Sequence, residues 1–215
     1  MQRESLPTRP AVVLALLAAA YVAAQILADV SSLKLANVFD NAIDGGTLIY
    51  PITFTLRDLV HKVAGKQVAR ALIVAAALIN VFMAGLFWIV DALPLVPDSG
   101  QQSELFGAVL GPVWRIVFAS IVAEVISELV DTEVYSAWVR RFGNRSQWGR
   151  VLASNAVAVP LDSLVFAVLA FGGLVDPAIV RQIVLTNVVV KLLVTLVSLP
   201  LIYTVGSQPE VAPPR

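Results

Sequence analysis

Glu124, Glu128, Asp131 and Tyr135 follow one another at steps of four, three and four. On a helix that spacing puts them on one face, with Ser120 and Ser127 close by. Asn155 and Asp162 lie seven apart, two turns along a face of a second segment, and Asn187 and Lys191 lie four apart on a third. Arg57 and Asp58 sit together upstream, and Gln25 and Asp29 lie nearer the N-terminus. Carboxylates accept hydrogen bonds from N–H donors or hold a cation, while amide, ammonium and guanidinium groups donate to a carbonyl oxygen. The residues by themselves describe recognition of a small polar planar solute or a cation. They serve catalysis poorly. There is no cysteine, the one histidine is His61, and no His-Glu-x-x-His or Gly-x-Ser-x-Gly pattern occurs. Asp131 is flanked by Val130 and Thr132, where an intramembrane aspartyl protease would need glycine. The reading is therefore of a protein that is not an enzyme and needs no metal or other cofactor.

The elements that must position these side chains are membrane spans. Of 215 residues 58% are hydrophobic and 14% charged, against about 25% charged in a soluble domain; the mean hydropathy is +0.83. The net charge is zero, which leaves no field to attract nucleic acid. A span takes roughly 20 mostly apolar residues, and six stretches approach that: 11–30, 47–64, 71–90, 113–131, 148–174 and 183–205. Unpaired backbone is not tolerated in lipid, and the period-2 alternation of a barrel is absent, so the spans are helices. Ser103–Leu110 reads as a short interfacial helix between the third and fourth spans. The expected organisation is a cytoplasmic tail over 1–10, one membrane domain over 11–205, and a disordered, proline-rich tail over 206–215.

Basic residues orient the bundle. Arg3, Arg9, Lys62, Lys66, Arg70, Arg140, Arg141, Arg145, Arg150 and Arg215 make ten on one side, against Lys34 and Arg181 on the other. Both termini are expected in the cytoplasm. Charges inside spans are costly and face a cavity or a partner. Matched interhelical pairs would explain Arg115, and water at the outer interface would explain Asp29 and Lys34. The acidic excess at mid-membrane favours a site for Glu124, Asp131, Asp162 and Lys191, with the polar stripes converging on one interior cavity. A short echo supports it: the order Asp131-Thr132, then Val134-Tyr135, resembles Asp162-Ser163, then Val165-Phe166, at an offset of 31 residues.

The segment Tyr50-Pro51-Ile52-Thr53-Phe54-Thr55-Leu56-Arg57-Asp58 resembles the Pro-x-x-Phe-x-x-x-Asp signature of the queuosine precursor transporter family, also called vitamin uptake transporter. Arg115 through Ser120 to Ser127 and Asp131 resembles that family's fourth span, Asn155 to Asp162 and Phe166 its fifth, and Lys191 followed by Pro200 its sixth. The resemblance runs over about 45–203. His61-Lys62 departs from it where an acidic residue is expected, and the first span matches poorly. It implies an all-α bundle of six transmembrane helices, similar to the substrate-binding subunits of energy-coupling-factor transporters. It also implies import of 7-cyano- or 7-aminomethyl-7-deazaguanine across the inner membrane for queuosine synthesis. The alternative is a substrate-binding subunit that needs a separate ATPase module. A guanine-like edge presents two adjacent donors that one carboxylate accepts, for which Asp131, Asp162 and Glu124 are candidates. Lys191, Asn155 or Arg57 would donate to the carbonyl oxygen, and Tyr50, Phe54, Trp88 and Phe166 would wall the ring. Asp58 and Glu128 complete the expected set. The partners implied are the deazapurine, the bilayer and, as a candidate, a second copy of the chain.

Overall fold

The computed structural model describes residues 9–97, 100–142 and 147–198. The chain is mostly helical. In order come α1 (Arg9–Ser31), strands β1 (Leu35–Val38) and β2 (Asn41–Asp44), a 3₁₀ turn (Gly45–Leu48), α2 (Tyr50–Asp91), the short α3 (Gln101–Glu104) and α4 (Phe106–Leu110), α5 (Val113–Phe142), α6 (Gln147–Phe171) and α7 (Pro177–Ser198).

Two helical stretches expected at 47–64 and 71–90 are joined into α2, broken only at Gly65, whose φ of 83° and ψ of 171° lie outside the helical region. Glycine adopts that conformation without the penalty a Cβ would bring. The expected basic loop is thus one residue of broken helix, and Arg70 already lies on helix. Pro51 opens α2 in its first turn, where a missing N–H costs nothing. α7 begins at Pro177, six residues before the expected Ile183. The short helix expected near 103–110 is split into α3 and α4, and α4 continues into the apolar stretch Phe106–Ser127.

The antiparallel hairpin of β1 and β2 was not anticipated. Its register pairs Leu35 with Asp44 and Val38 with Asn41. The two linking residues, Phe39 and Asp40, both have positive φ, 50° and 60°, as a two-residue type I′ turn demands. The hairpin folds over one end of the bundle. Ala42 N–H donates to Gln182 Oε1 of α7 at 3.0 Å, and Gly45 N–H donates to Lys34 O at 2.9 Å.

Apolar packing is concentrated where α5, α6 and α7 meet. Ile116, Ala119 and Ala123 of α5 lie against Phe166, Ala167 and Ala170 of α6 and Ile183 of α7. Alanines at the contact let the backbones approach closely, the usual device for helices that gain nothing from hiding apolar surface from lipid. A second cluster joins Met83 of α2 to Val113 and Val117 of α5, with Ile26 and Val30 of α1 against it. Large apolar side chains on the outside, among them Phe82, Phe118, Leu164 and Val197, are more than 45% exposed. On a water-soluble protein that would be a liability; here it is the lipid-facing surface. Among the described residues, four helical stretches have the length and apolarity to cross a bilayer: Ala11–Ser31, Gln67–Asp91, Phe106–Ser127 and Pro177–Val194. Asn155–Phe171 is apolar but shorter.

Candidate functional site

α1 carries a polar face. Tyr21, Gln25, Asp29 and Ser32 recur at steps of four, four and three and are all buried. Tyr21 Oη donates to Glu124 of α5 at 3.1 Å and accepts from Gln25 Nε2 at 3.0 Å. Asp29 Oδ1 accepts from Ser120 Oγ of α5 at 2.8 Å. The first span and the middle of α5 are thereby cross-linked by side chains inside the bundle.

Asp44, the last residue of β2, is a junction. Its Oδ1 accepts from Ser32 Oγ at 2.9 Å and from Thr47 N–H at 3.1 Å. Its Oδ2 accepts from Thr47 Oγ1 at 2.8 Å and from Asn187 Nδ2 of α7 at 3.1 Å. Those four bonds fill the acceptor sites of one carboxylate. They cap the 3₁₀ turn and tie the hairpin to α1 and α7. Asp44 is 1% exposed; its charge is held by oriented donors rather than by a cation.

On the other side of the same space, Lys191 of α7 forms an ion pair with Asp162 Oδ2 of α6, and both side chains are 3% exposed. Asp162 Oδ1 also faces Ser127 Oγ at 3.4 Å. Pro160, two residues earlier within α6, removes the N–H that would otherwise bond to the Ala156 carbonyl. The Lys191 ammonium sits 4.7 Å from the Tyr50 ring centroid and 6.0 Å from that of Phe54, within cation–π range. Tyr50 and Phe54 meet edge to face at 5.5 Å, and the Arg57 guanidinium lies 5.4 Å over Phe54.

These groups enclose two cavities. The first, of about 320 Å³, is lined by α1, the turn after β2, and α2, α5, α6 and α7, with Asp29, Asp44, Asp162, Asn187 and Lys191 among its polar groups and Tyr50 and Phe166 as its rings. The second, of about 290 Å³, is lined by Phe54, Arg57, Ser127, Asn155 and Asp162. Asp162 borders both.

Most of the residues singled out from sequence fall on these walls, but not on one wall. Tyr50, Phe166 and Lys191 line the first cavity, Phe54, Arg57 and Asn155 the second, and Asp162 both. Glu124 lies beside them, engaged with Tyr21. Trp88 needs correcting: it sits in the second half of α2, 75% exposed on the outer face, and borders neither cavity. Its helical phase, about 140° round from buried Met83, turns it outward. The side chains of Asp58, Glu128 and Asp131 lie outside the described residues. Arg115, read as an interhelical tie, is one: its Nε donates to Leu169 O at 2.7 Å and its Nη2 to Gly172 O at 2.5 Å, at the C-terminus of α6.

The reading from sequence missed Asp29, Asp44, Ser32, Thr47 and Ser120 as lining residues. For Asp29 the signal was its place on the Tyr21–Gln25–Asp29–Ser32 face. For Asp44 it was the Asp-Gly-Gly-Thr order, in which an aspartate caps a turn.

A mostly helical bundle with a lipid-facing exterior and a buried polar cavity defines a membrane protein that handles a small solute. Residues 44–205 match the model of the family described as "Putative vitamin uptake transporter", and the chain belongs to that family. It is a multi-pass membrane transporter. A "Probable queuosine precursor transporter" of Bacillus subtilis (strain 168) is 26% identical over 182 residues, covering 84% of this chain and 79% of that relative. No solved structure matches it.

Proposed function

We propose that this transporter imports queuosine precursor bases, 7-cyano-7-deazaguanine or 7-aminomethyl-7-deazaguanine, across the inner membrane. The observation that carries the reading is the composition of the first cavity: buried carboxylates, an amide and an ammonium facing one space, with the rings of Tyr50 and Phe166 in its wall. A deazaguanine needs acceptors for its N1–H and 2-amino group, donors for its carbonyl oxygen, and apolar faces for its ring. The name of the Bacillus relative supports the same solute class. Six spans with both termini cytoplasmic belong to the proposal. α1, the two halves of α2, α5, α6 and α7 supply six long helical segments, and the basic residues cluster at the ends this arrangement places inside.

The test is uptake. In cells unable to make or import the precursor, expression of this chain should restore queuosine in tRNA when either base is supplied, and excess adenine should not compete. Failure to restore it with the protein present in the membrane would refute the proposal. Purified chain in liposomes without any ATPase should also take up the base; uptake only with an added ATPase module would favour the subunit reading. Reporter fusions after Arg145 and at the C-terminus should report cytoplasm, and one at Gly100 the outside. An external C-terminus would rule out six spans.

A further inference from the structure

The first cavity has three carboxylates in its wall, and they are not equivalent. Asp44 has its acceptor sites filled by Ser32, Thr47 and Asn187. Asp162 is neutralised by Lys191. Asp29 has one oxygen bonded to Ser120, while its Oδ2 is buried and without a partner. The residue is 1% exposed and lines the cavity. An acceptor left unmatched in a buried site is costly. In a family whose members bind and release a solute, the ligand is the natural source of the missing donors.

We propose that Asp29 is the residue that reads the hydrogen-bonding edge of the substrate, a specificity determinant contributed by α1. This rests on the deazaguanine reading above. Oδ2 is free, and Oδ1 accepts a single bond from Ser120, so both oxygens can take a donor. N1–H and the 2-amino group of a deazaguanine present two parallel donors at the spacing of a carboxylate. Ser120 fixes the carboxylate from behind, which limits the rotamer freedom lost on binding. Asp162, with Lys191 attached, is left to hold the cavity together rather than to choose the base. The family match begins at residue 44, so this determinant lies outside the matched region.

The experiment measures binding to the detergent-purified full chain of two probes: 7-cyano-7-deazaguanine and its analogue lacking the 2-amino group. Wild-type protein should prefer the first by about tenfold or more, the scale of one charge-assisted hydrogen bond. Asp29→Asn places a donor where an acceptor stood; it should weaken the guanine-type probe by about tenfold or more and bring the ratio of the two probes close to one. A structural role would weaken both probes alike and leave the ratio unchanged. Asp29→Ser is the second variant, with folding of both checked by thermal midpoint and gel filtration. Wild-type affinity and an unchanged ratio in a folded variant overturn the assignment and leave the deazaguanine reading intact. Loss of folding in both variants makes Asp29 structural and overturns it too. If the wild type binds neither probe, the deazaguanine reading falls and this inference with it.

Discussion

Replacing Lys191 with methionine tests how the bundle carries charge. The ammonium and the Asp162 carboxylate are both 3% exposed, so Lys191→Met strands an anion. Its hydrogen bond from the Ser127 hydroxyl, at 3.4 Å, is too long to compensate, and Arg57 and Asn155 share only the wall of the second cavity with it. Removing one partner of a buried pair costs about 3–5 kcal/mol. The lost contact with the Tyr50 ring at 4.7 Å adds to that, by roughly 0.5–2 kcal/mol. For a chain of this size the single variant should lose roughly 7–28 °C in thermal midpoint. The double variant Lys191→Met with Asp162→Leu removes both charges at once. Apolar replacement of a whole buried pair is often neutral or better, so it should recover most of the loss. The coupling between the two sites should then be several kcal/mol, where independent sites add within about 0.5 kcal/mol. The assay is thermal unfolding in detergent, followed by tryptophan fluorescence, alongside uptake in cells with matched expression. The double variant should be stable and inactive, because Asp162 borders both cavities. If Lys191→Met melts like the wild type, the pair does not carry buried charge and the reasoning fails. If the stable double variant transports normally, the pair is packing alone.

Arg115→Leu removes two charge-assisted bonds to the last carbonyls of α6, each worth about 1.5–3 kcal/mol. The melting midpoint should fall while uptake per folded molecule is kept, and Arg115→Lys should restore only part of the loss, because an ammonium lacks the planar fork. Gly46→Leu should abolish uptake and lower the melting midpoint. A Cβ there meets the Ser32 hydroxyl and the Ala28 carbonyl oxygen, the latter at 2.6 Å, so the turn after β2 could not stay against α1. Wild-type uptake by that variant would show that the turn is not part of the cavity wall.

The helices were legible because the membrane enforces them: an apolar run of about 20 residues has few other outcomes in lipid. Within 11–30, 71–90 and 148–174 the helices fall within a few residues of where hydropathy puts them. The hairpin was illegible for a local reason. Its turn puts Phe39 in a positive-φ conformation, where asparagine or glycine is the usual signal, and β1 and β2 are four residues each. Lys191 and Asp162 were legible as charges that must meet something, because lipid leaves them few alternatives. Asp29 was not, since a carboxylate one turn from a span's end can as readily be solvated at the interface. Only the third dimension shows it 1% exposed beneath the hairpin. Trp88 failed in the opposite way: aromatic identity says nothing of helical phase, and Trp88 faces outward.

The distribution of partners explains why so polar an interior can persist in a bundle held by weak apolar packing. Asp44 bonds to Ser32 just past the end of α1, to the 3₁₀ turn and to α7. Asp162 and Lys191 join α6 to α7, Tyr21 and Asp29 join α1 to α5, and Arg115 joins α5 to α6. Each cross-link satisfies a group that lipid would not, so the polar residues that threaten the fold also supply its tertiary specificity. The α1 contacts matter most for this argument. Without Ala28, Asp29 and Ser32 the first cavity would have no wall on that side, and without Tyr21, Asp29 and Ser32 the groups Glu124, Ser120 and Asp44 would each lose a partner. The segment that sequence comparison matches least is therefore required for the cavity to be closed. A chain trimmed to its matched region, 44–205, would retain Asp162 and Lys191 but lose that wall.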